Sequence, residues 1–166
     1  LPNYYRSEIS LIQSAWIQSV ADILQQGVIL LIDYGYGRRE YYHPERQDGT
    51  LKCFYQHHSH NDPFILVGLQ DITAHVDFTY VAESADQAGL KIAGFTTQAA
   101  FLLACGLLDI STKLSTDEID NYKNNQAIKT LTLPSQMGEI VKVMALSKHL
   151  ETTLTGFELQ DRRRDL

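Results

Sequence analysis

The chain has 166 residues, with 14 basic and 20 acidic side chains and a net charge of −6. That length suits one domain with a core of its own, and the ordinary balance of 44% hydrophobic and 20% charged residues excludes a disordered, collagen-like or disulfide-built chain. An acidic chain has no general attraction for nucleic acid or anionic lipid, and no apolar run approaches the about 20 residues that cross a bilayer.

Residues 7–26 have helical spacing. Ile9, Ile12, Trp16, Val20 and Ile23 fall on one face, which predicts the face turned to the core, and Gly27 offers a stop. Val28 to Ile32 is an unbroken aliphatic run, the pattern of a strand covered on both faces. Asp33, Tyr34 and Tyr36 follow it. In open α/β sheets ligands bind beyond the carboxyl ends of strands, so these three stand where a site is expected. Gly35-Tyr36-Gly37 imitates the start of a dinucleotide loop. Position 40 is Glu40 and no clear helix follows, so a phosphate cradle is rejected.

Residues 38–75 read as an insertion. Residues 38–44 form a loop, residues 49–57 alternate as a strand, and Asn61-Asp62-Pro63 signals a turn. Five of the six histidines cluster here: His43, His57, His58, His60 and His75. With Asp62, Asp71 and Asp77 they include metal-ligand types, but no pair has a strong ligand spacing. His75 with Asp71 or Asp77 can serve as a base and its orienter; the same residues also suit a helix-entry turn.

Residues 76–89 predict a second helix with Asp77 at its start, residues 91–95 a strand, and residues 98–108 a deeply buried helix capped by Thr96 or Thr97. Ser115 to Glu118 matches a capping box opening a helix to about Lys129. Pro134 to Gly138 is a turn, and residues 139–147 are a last buried strand. Cys53 and Cys105 read as reduced core thiols, and Arg162-Arg163-Arg164 as part of a solvated polar tail over residues 151–166.

Taken together, several strings resemble one family. They are residues 27–36 (Gly27 to Tyr36), 40–46 (Glu40 to Arg46), 48–54 (Asp48 to Phe54), 70–78 (Gln70 to Phe78), 96–103 (Thr96 to Leu103) and 137–146 (Met137 to Leu146). In this order they resemble the C-terminal half of the MidA-type S-adenosylmethionine-dependent methyltransferases, a family that includes a mitochondrial complex I assembly protein arginine methyltransferase. The resemblance runs over residues 4–148. It implies an α/β, Rossmann-like class I methyltransferase fold with an incomplete sheet and a β-rich insertion. In that reading residues 1–150 are the C-terminal half of the domain, Val28 to Ile32 is its fifth strand, and the sheet ends with an antiparallel strand. The family's Gly-rich cofactor loop belongs to an N-terminal half and has no counterpart here. The cofactor residues are therefore unknown, and weak or absent S-adenosylmethionine binding by this chain is expected. The apolar strand becomes an exposed edge that pairs with a missing half or with itself.

The activity implied is methylation of a protein arginine. A cationic guanidinium needs carboxylates to hold it and groups to orient it. Asp33, Asp71 and Asp77 are the acidic candidates, with Tyr34 and His75 as their catalytic companions. Tyr36, His57 and Arg46 are assigned to substrate binding. The compartments implied are a bacterial cytoplasm or the mitochondrial matrix. Two other readings compete: an inactive assembly module derived from the same fold, and a small metal-dependent hydrolase built on the histidines.

Overall fold

The computed structural model describes residues 4–114 and 118–166; Ser115, Thr116 and Asp117 of the expected capping box lie outside the described residues. A mixed four-stranded sheet forms the centre. Its strands are β1 (Gly27–Tyr36), β5 (Val76–Asp77), β6 (Lys91–Thr97) and β7 (Val141–Lys148), in the order β5-β1-β7-β6. The last strand in sequence inserts between two earlier ones. It runs antiparallel to β1 from Gly27↔Lys148 to Tyr34↔Val141, and antiparallel to β6. All of Val141 to Ser147 is buried, as a central strand requires.

One face of the sheet is covered by α1 (Gln13–Ile23) and α3 (Phe78–Gln87). Ile17, Ala21, Phe78, Val81, Phe95 and Met144 meet there in the main core. Asp77 accepts a hydrogen bond from the Tyr80 amide at 3.1 Å and so caps α3, as its position predicts. The other face is covered over β6 and β7 by α4 (Gln98–Ala104) and a turn at Thr155–Phe157, with Val143, Ala145 and Phe157 in a smaller core. Gly94 lies under the Phe157 ring, where an added Cβ would stand 2.3 Å from ring carbon. Thr97, not Thr96, caps α4 by accepting from the Ala100 amide.

The expected long helix over residues 98–108 is two helices. Gly106, at a φ of 82°, turns the chain from α4 into α5 (Leu107–Leu114). Cys105 sits at that corner and is exposed, so only Cys53 is a core thiol. Beyond the residues outside the described range, α6 (Glu118–Thr132) runs back, and the Gln98 side chain donates to the Leu131 carbonyl to hold it.

Two apolar faces that the residue pattern predicts to be covered are open, and at β1 this is the exposed edge that the family resemblance implies. In α1 the residues turned inward are Ile17 and Ala21, because these dock on α3; Ile12, Trp16 and Ile23 face outward at 76, 50 and 80% exposure. In β1, Ile29 and Leu31 join the core, whereas Val28, Leu30 and Ile32 are exposed on the opposite face. On the edge away from β7, β1 has a strand partner among the described residues only at Gly35 and Tyr36, through β5, so residues 28–33 form a free apolar edge. Ile12, Trp16, Leu30, Ile32 and Asp33 line one groove along it.

The insertion folds as a satellite antiparallel sheet of β2 (Lys52–Tyr55), β3 (His58–His60) and β4 (Asp71–Thr73), in the order β3-β2-β4. Gln56 and His57 form its two-residue hairpin turn, both at positive φ as such turns require. The predicted loop at 38–44 contains a short helix, α2 (Arg38–Tyr41), followed by a 3-10 turn at Pro44–Arg46. Residues 160–166 are not a solvated tail. The Arg162 amide donates to the Phe95 carbonyl, Arg163 reaches the Ile92 carbonyl, and Leu166 packs on the core.

Candidate functional site

The carboxyl end of β1 is shaped by one close approach. Gly35 passes the Val76 carbonyl so tightly that a Cβ would stand 2.3 Å from its oxygen, and this lets β5 pair in parallel, Gly35↔Val76 and Tyr36↔Asp77. The crossing delivers His75 to the two tyrosines. Its ring stacks on Tyr34 at 6.2 Å with 17° between planes, and lies 5.2 Å from the Tyr36 ring. The His75 amide donates to Thr50 Oγ1 at 3.0 Å. Thr50 is held in turn by the Glu8 carboxylate, which also accepts from the Leu51 amide. The N-terminal segment thus anchors the insertion beside the sheet.

Cations close over this aromatic group. The Arg46 guanidinium lies 4.0 Å from the centre of the Tyr36 ring, and the Lys142 ammonium 5.6 Å from it. Lys142 is 3% exposed and donates to the Glu139 carbonyl, with the Glu139 carboxylate 4.0 Å away. Burial pushes the Lys142 ammonium below the usual lysine range, and Glu139 offsets part of that. His75 is likewise pushed below the usual histidine range, first by burial and then by Arg46. Both favour the neutral ring, and its buried Nδ1 has no hydrogen-bond partner among the described residues.

This depression has a consequence for stability. Between the lowered folded-state value and the ordinary 6.5, the unfolded chain binds a proton that the folded chain does not, so stability falls as pH drops through that window. His75→Gln is expected to flatten this part of the pH–stability curve, measured by denaturant midpoints from pH 7.5 to 4.5.

The eight residues singled out in the sequence divide into three groups. Tyr34, Tyr36, His75 and Arg46 converge. Asp33 stands beside them at the mouth of the edge groove, exposed, its carboxylate accepting from the Tyr34 amide at 2.7 Å. Asp77 has structural partners: besides capping α3 it lies 3.6 Å from Arg38, which holds Glu83 through two bonds of 2.6 and 2.5 Å. Asp77→Ala is expected to cost about 1 kcal/mol through the lost cap, a fall of about 2–4 °C in Tm, read by thermal denaturation.

Asp71 and His57 are carried by the satellite sheet. Asp71 is exposed opposite Phe54, and His57 is exposed at the hairpin tip. Neither has a hydrogen bond, ion pair or ring contact with the Tyr36 cluster among the described residues. No three His, Cys, Asp or Glu side chains converge as a metal set among the described residues. Lys142 escaped the reading of the sequence. Its signal was a charge inside the apolar run of residues 140–146, which a buried strand does not tolerate without a reason.

This arrangement has relatives. A family model for S-adenosyl-L-methionine-dependent methyltransferases matches residues 1–96. Mouse and rat mitochondrial protein arginine methyltransferase NDUFAF7 are each 32% identical over 127 residues, which is 74% of this chain. The chain spans 27% of the length of either. A native crystal structure of a protein from Burkholderia thailandensis superposes at a TM-score of 0.94 with 38% identity, covering 98% of this chain and 44% of that one. A second structure from the same organism, bound to S-adenosyl-homocysteine, gives 0.93 and 38% over 98% of this chain and 42% of that one. No described helix is long and apolar enough to cross a membrane. The Rossmann-like architecture, the strand β7 inserted between β1 and β6, and these matches agree, and the chain belongs to the MidA-type family of S-adenosylmethionine-dependent methyltransferases.

Proposed function

We propose that this chain is the C-terminal, substrate-facing part of a protein arginine methyltransferase whose cofactor-holding part packs along the free edge of β1. The observation that carries the reading is the apolar edge at residues 28–33 in a chain that superposes almost entirely on 44% of a family structure. A sheet edge of this composition calls for a partner strand, and the outward face of α1 beside it extends the same apolar surface.

The residues of the Tyr36 cluster do not themselves fit S-adenosylmethionine. The cofactor is a sulfonium, and the aromatic faces it would use are taken by His75, Arg46 and Lys142, two of them cations. The cofactor, when bound, supplies the methyl group. The chain's own residues act on the other reactant. Asp33 is the exposed carboxylate at the carboxyl end of β1 and is placed to hold a guanidinium. Tyr34 and His75, stacked together, form a rigid wall beside it, and the burial of His75 disfavours a positive charge there that would repel the substrate. The compartment is a bacterial cytoplasm or the mitochondrial matrix.

Calorimetric titration with S-adenosyl-homocysteine tests this reading. The whole gene product is expected to bind it, and the 166-residue chain alone to bind it weakly or not at all. Absence of binding by the whole product would overturn the enzyme reading in favour of an assembly module. Self-association of the chain alone, relieved by Leu30→Lys with Ile32→Lys, would show the β1 edge to be the surface that seeks a partner.

A further inference from the structure

A second concavity opens on the sheet's carboxyl side, next to the Tyr36 cluster but facing away from the β1 edge. It is a cleft of about 940 Å³ between α2, α3, the end of β6 and the last residues of the chain. Its charges are unusual for this molecule. Arg38, Arg39, Lys142, Arg162 and Arg164 line it, against Glu40, Glu83 and Asp165. A chain of net charge −6 therefore carries a cleft with more cations than carboxylates.

The pairing within the cleft is uneven. Arg38 is taken up by Glu83, and Arg162 by Glu139 and Asp165 at 2.7 and 2.8 Å. The other three have spare capacity. Arg39 has no carboxylate within 4.0 Å among the described residues, and Arg164, 89% exposed, has only Asp165 at 3.8 Å. Lys142 is buried with its nearest carboxylate at 4.0 Å. Burying an ammonium without a close counter-charge is costly, and Lys142, whose Nζ donates to the Glu139 carbonyl, lies in the lining of the cleft. Arg46 extends the positive surface on the far side of Tyr36.

We infer that this cleft is a docking site for an acidic segment of a protein partner, whose Asp or Glu side chains pair with Arg39 and Arg164 at the rim and face Lys142 at the floor. Planar guanidinium groups on exposed stems suit successive carboxylates on a flexible segment. The long-range field of a −6 chain repels such a segment, so binding must come from local pairing inside the cleft. The site stands apart from the β1 edge and needs no cofactor.

The test uses the whole gene product and two fluorescein-labelled peptides, hexaglutamate and hexalysine, followed by anisotropy at low salt and at about 150 mM salt. Hexaglutamate is expected to bind with salt-sensitive affinity and hexalysine not to bind at this cleft. Arg39→Glu with Arg164→Glu is expected to weaken hexaglutamate binding by about tenfold or more. Both residues are exposed, so an unchanged Tm confirms that the variant is folded. Equal affinity for the variant and the parent would overturn the inference. So would binding of inorganic phosphate with none of hexaglutamate, which would make the cleft a small-anion site. Retained S-adenosyl-homocysteine binding in the variant would separate this result from the methyltransferase reading.

Discussion

Phe78→Ala is expected to lower stability by about 3–5 kcal/mol, enough to depress Tm by roughly 10 °C or more in a domain of this size. Phe78 is 1% exposed and opens α3 directly after the Asp77 cap. Its ring stands 5.3 Å from Phe95 of β6, so it joins the helix to the far strand of the sheet. It also lies beneath Gly35, where an added Cβ would meet its ring at 2.8 Å. Truncation therefore leaves a cavity under the crossing of β1 and β5, the feature that brings His75 to the tyrosines. The loss should appear in the site as well as in the melting curve. Urea denaturation gives the first reading, and a shift of the His75 ring-proton resonances away from the ring-current field of Tyr34 and Tyr36 the second. A cost below about 1 kcal/mol would mean that the core refills around the vacancy and that the crossing does not depend on this ring.

Asp33→Asn in the whole gene product is expected to reduce kcat/KM for an arginine peptide by about ten- to a hundredfold. The change keeps size and hydrogen-bonding capacity but removes the charge, and a hydrogen bond to a charged group contributes about 1.5–3 kcal/mol. Asp33 has no cation paired with it among the described residues, unlike Asp77, which caps α3 and faces Arg38. The loss should fall on peptide binding and turnover together, while the affinity for S-adenosyl-homocysteine stays near that of the parent. Asp33→Glu should recover part of the activity. An Asp33→Asn enzyme with full activity would remove Asp33 from the substrate site and leave the reaction to a carboxylate outside this chain.

The elements of this protein differ in how openly the sequence announces them. β7 was legible because a central strand is apolar on both faces, and Val141 to Ser147 shows that pattern. α3 was legible because its cap, its periodic face and its closing Gly89 agree. The turn at Gln56 and His57 was not legible: the alternation read as one strand over residues 49–57, but the strand ends at Tyr55 and these two residues turn the chain at positive φ. β1 was legible only through the family resemblance. Its aliphatic run by itself matches cover on both faces, yet only the Ile29 and Leu31 side is covered within the described residues, and the exposed apolar edge that the resemblance implied is what the structure has, since the same composition serves a face meant for a partner. α1 misled because Trp16 and Ile23, on the face expected to be buried, turn outward, while Ile17 and Ala21 face in against α3.

The candidate site was half legible. Asp33, Tyr34 and Tyr36 were expected just beyond a strand, because α/β sheets present ligands at that end; β1 runs on through Tyr36 instead, so they are its last residues. The sequence could also show which residues were chemically able to act, and that Lys142 carried a charge where a strand should be apolar. It could not rank Asp71, His75 and Asp77 against one another. They lie within seven residues, but one belongs to the satellite sheet, one joins the aromatic cluster and one caps a helix. Separation in sequence carries no information about that division. It depends on the close passage of Gly35 by Val76, which turns His75 toward β1, and on Glu8, which ties Thr50 beneath it. Local pattern and composition determined the elements, the charge and the family resemblance, since these depend on neighbours in the chain. Only the tertiary structure decided which side chains meet and which faces stay open, because those depend on contacts between segments that no local pattern encodes.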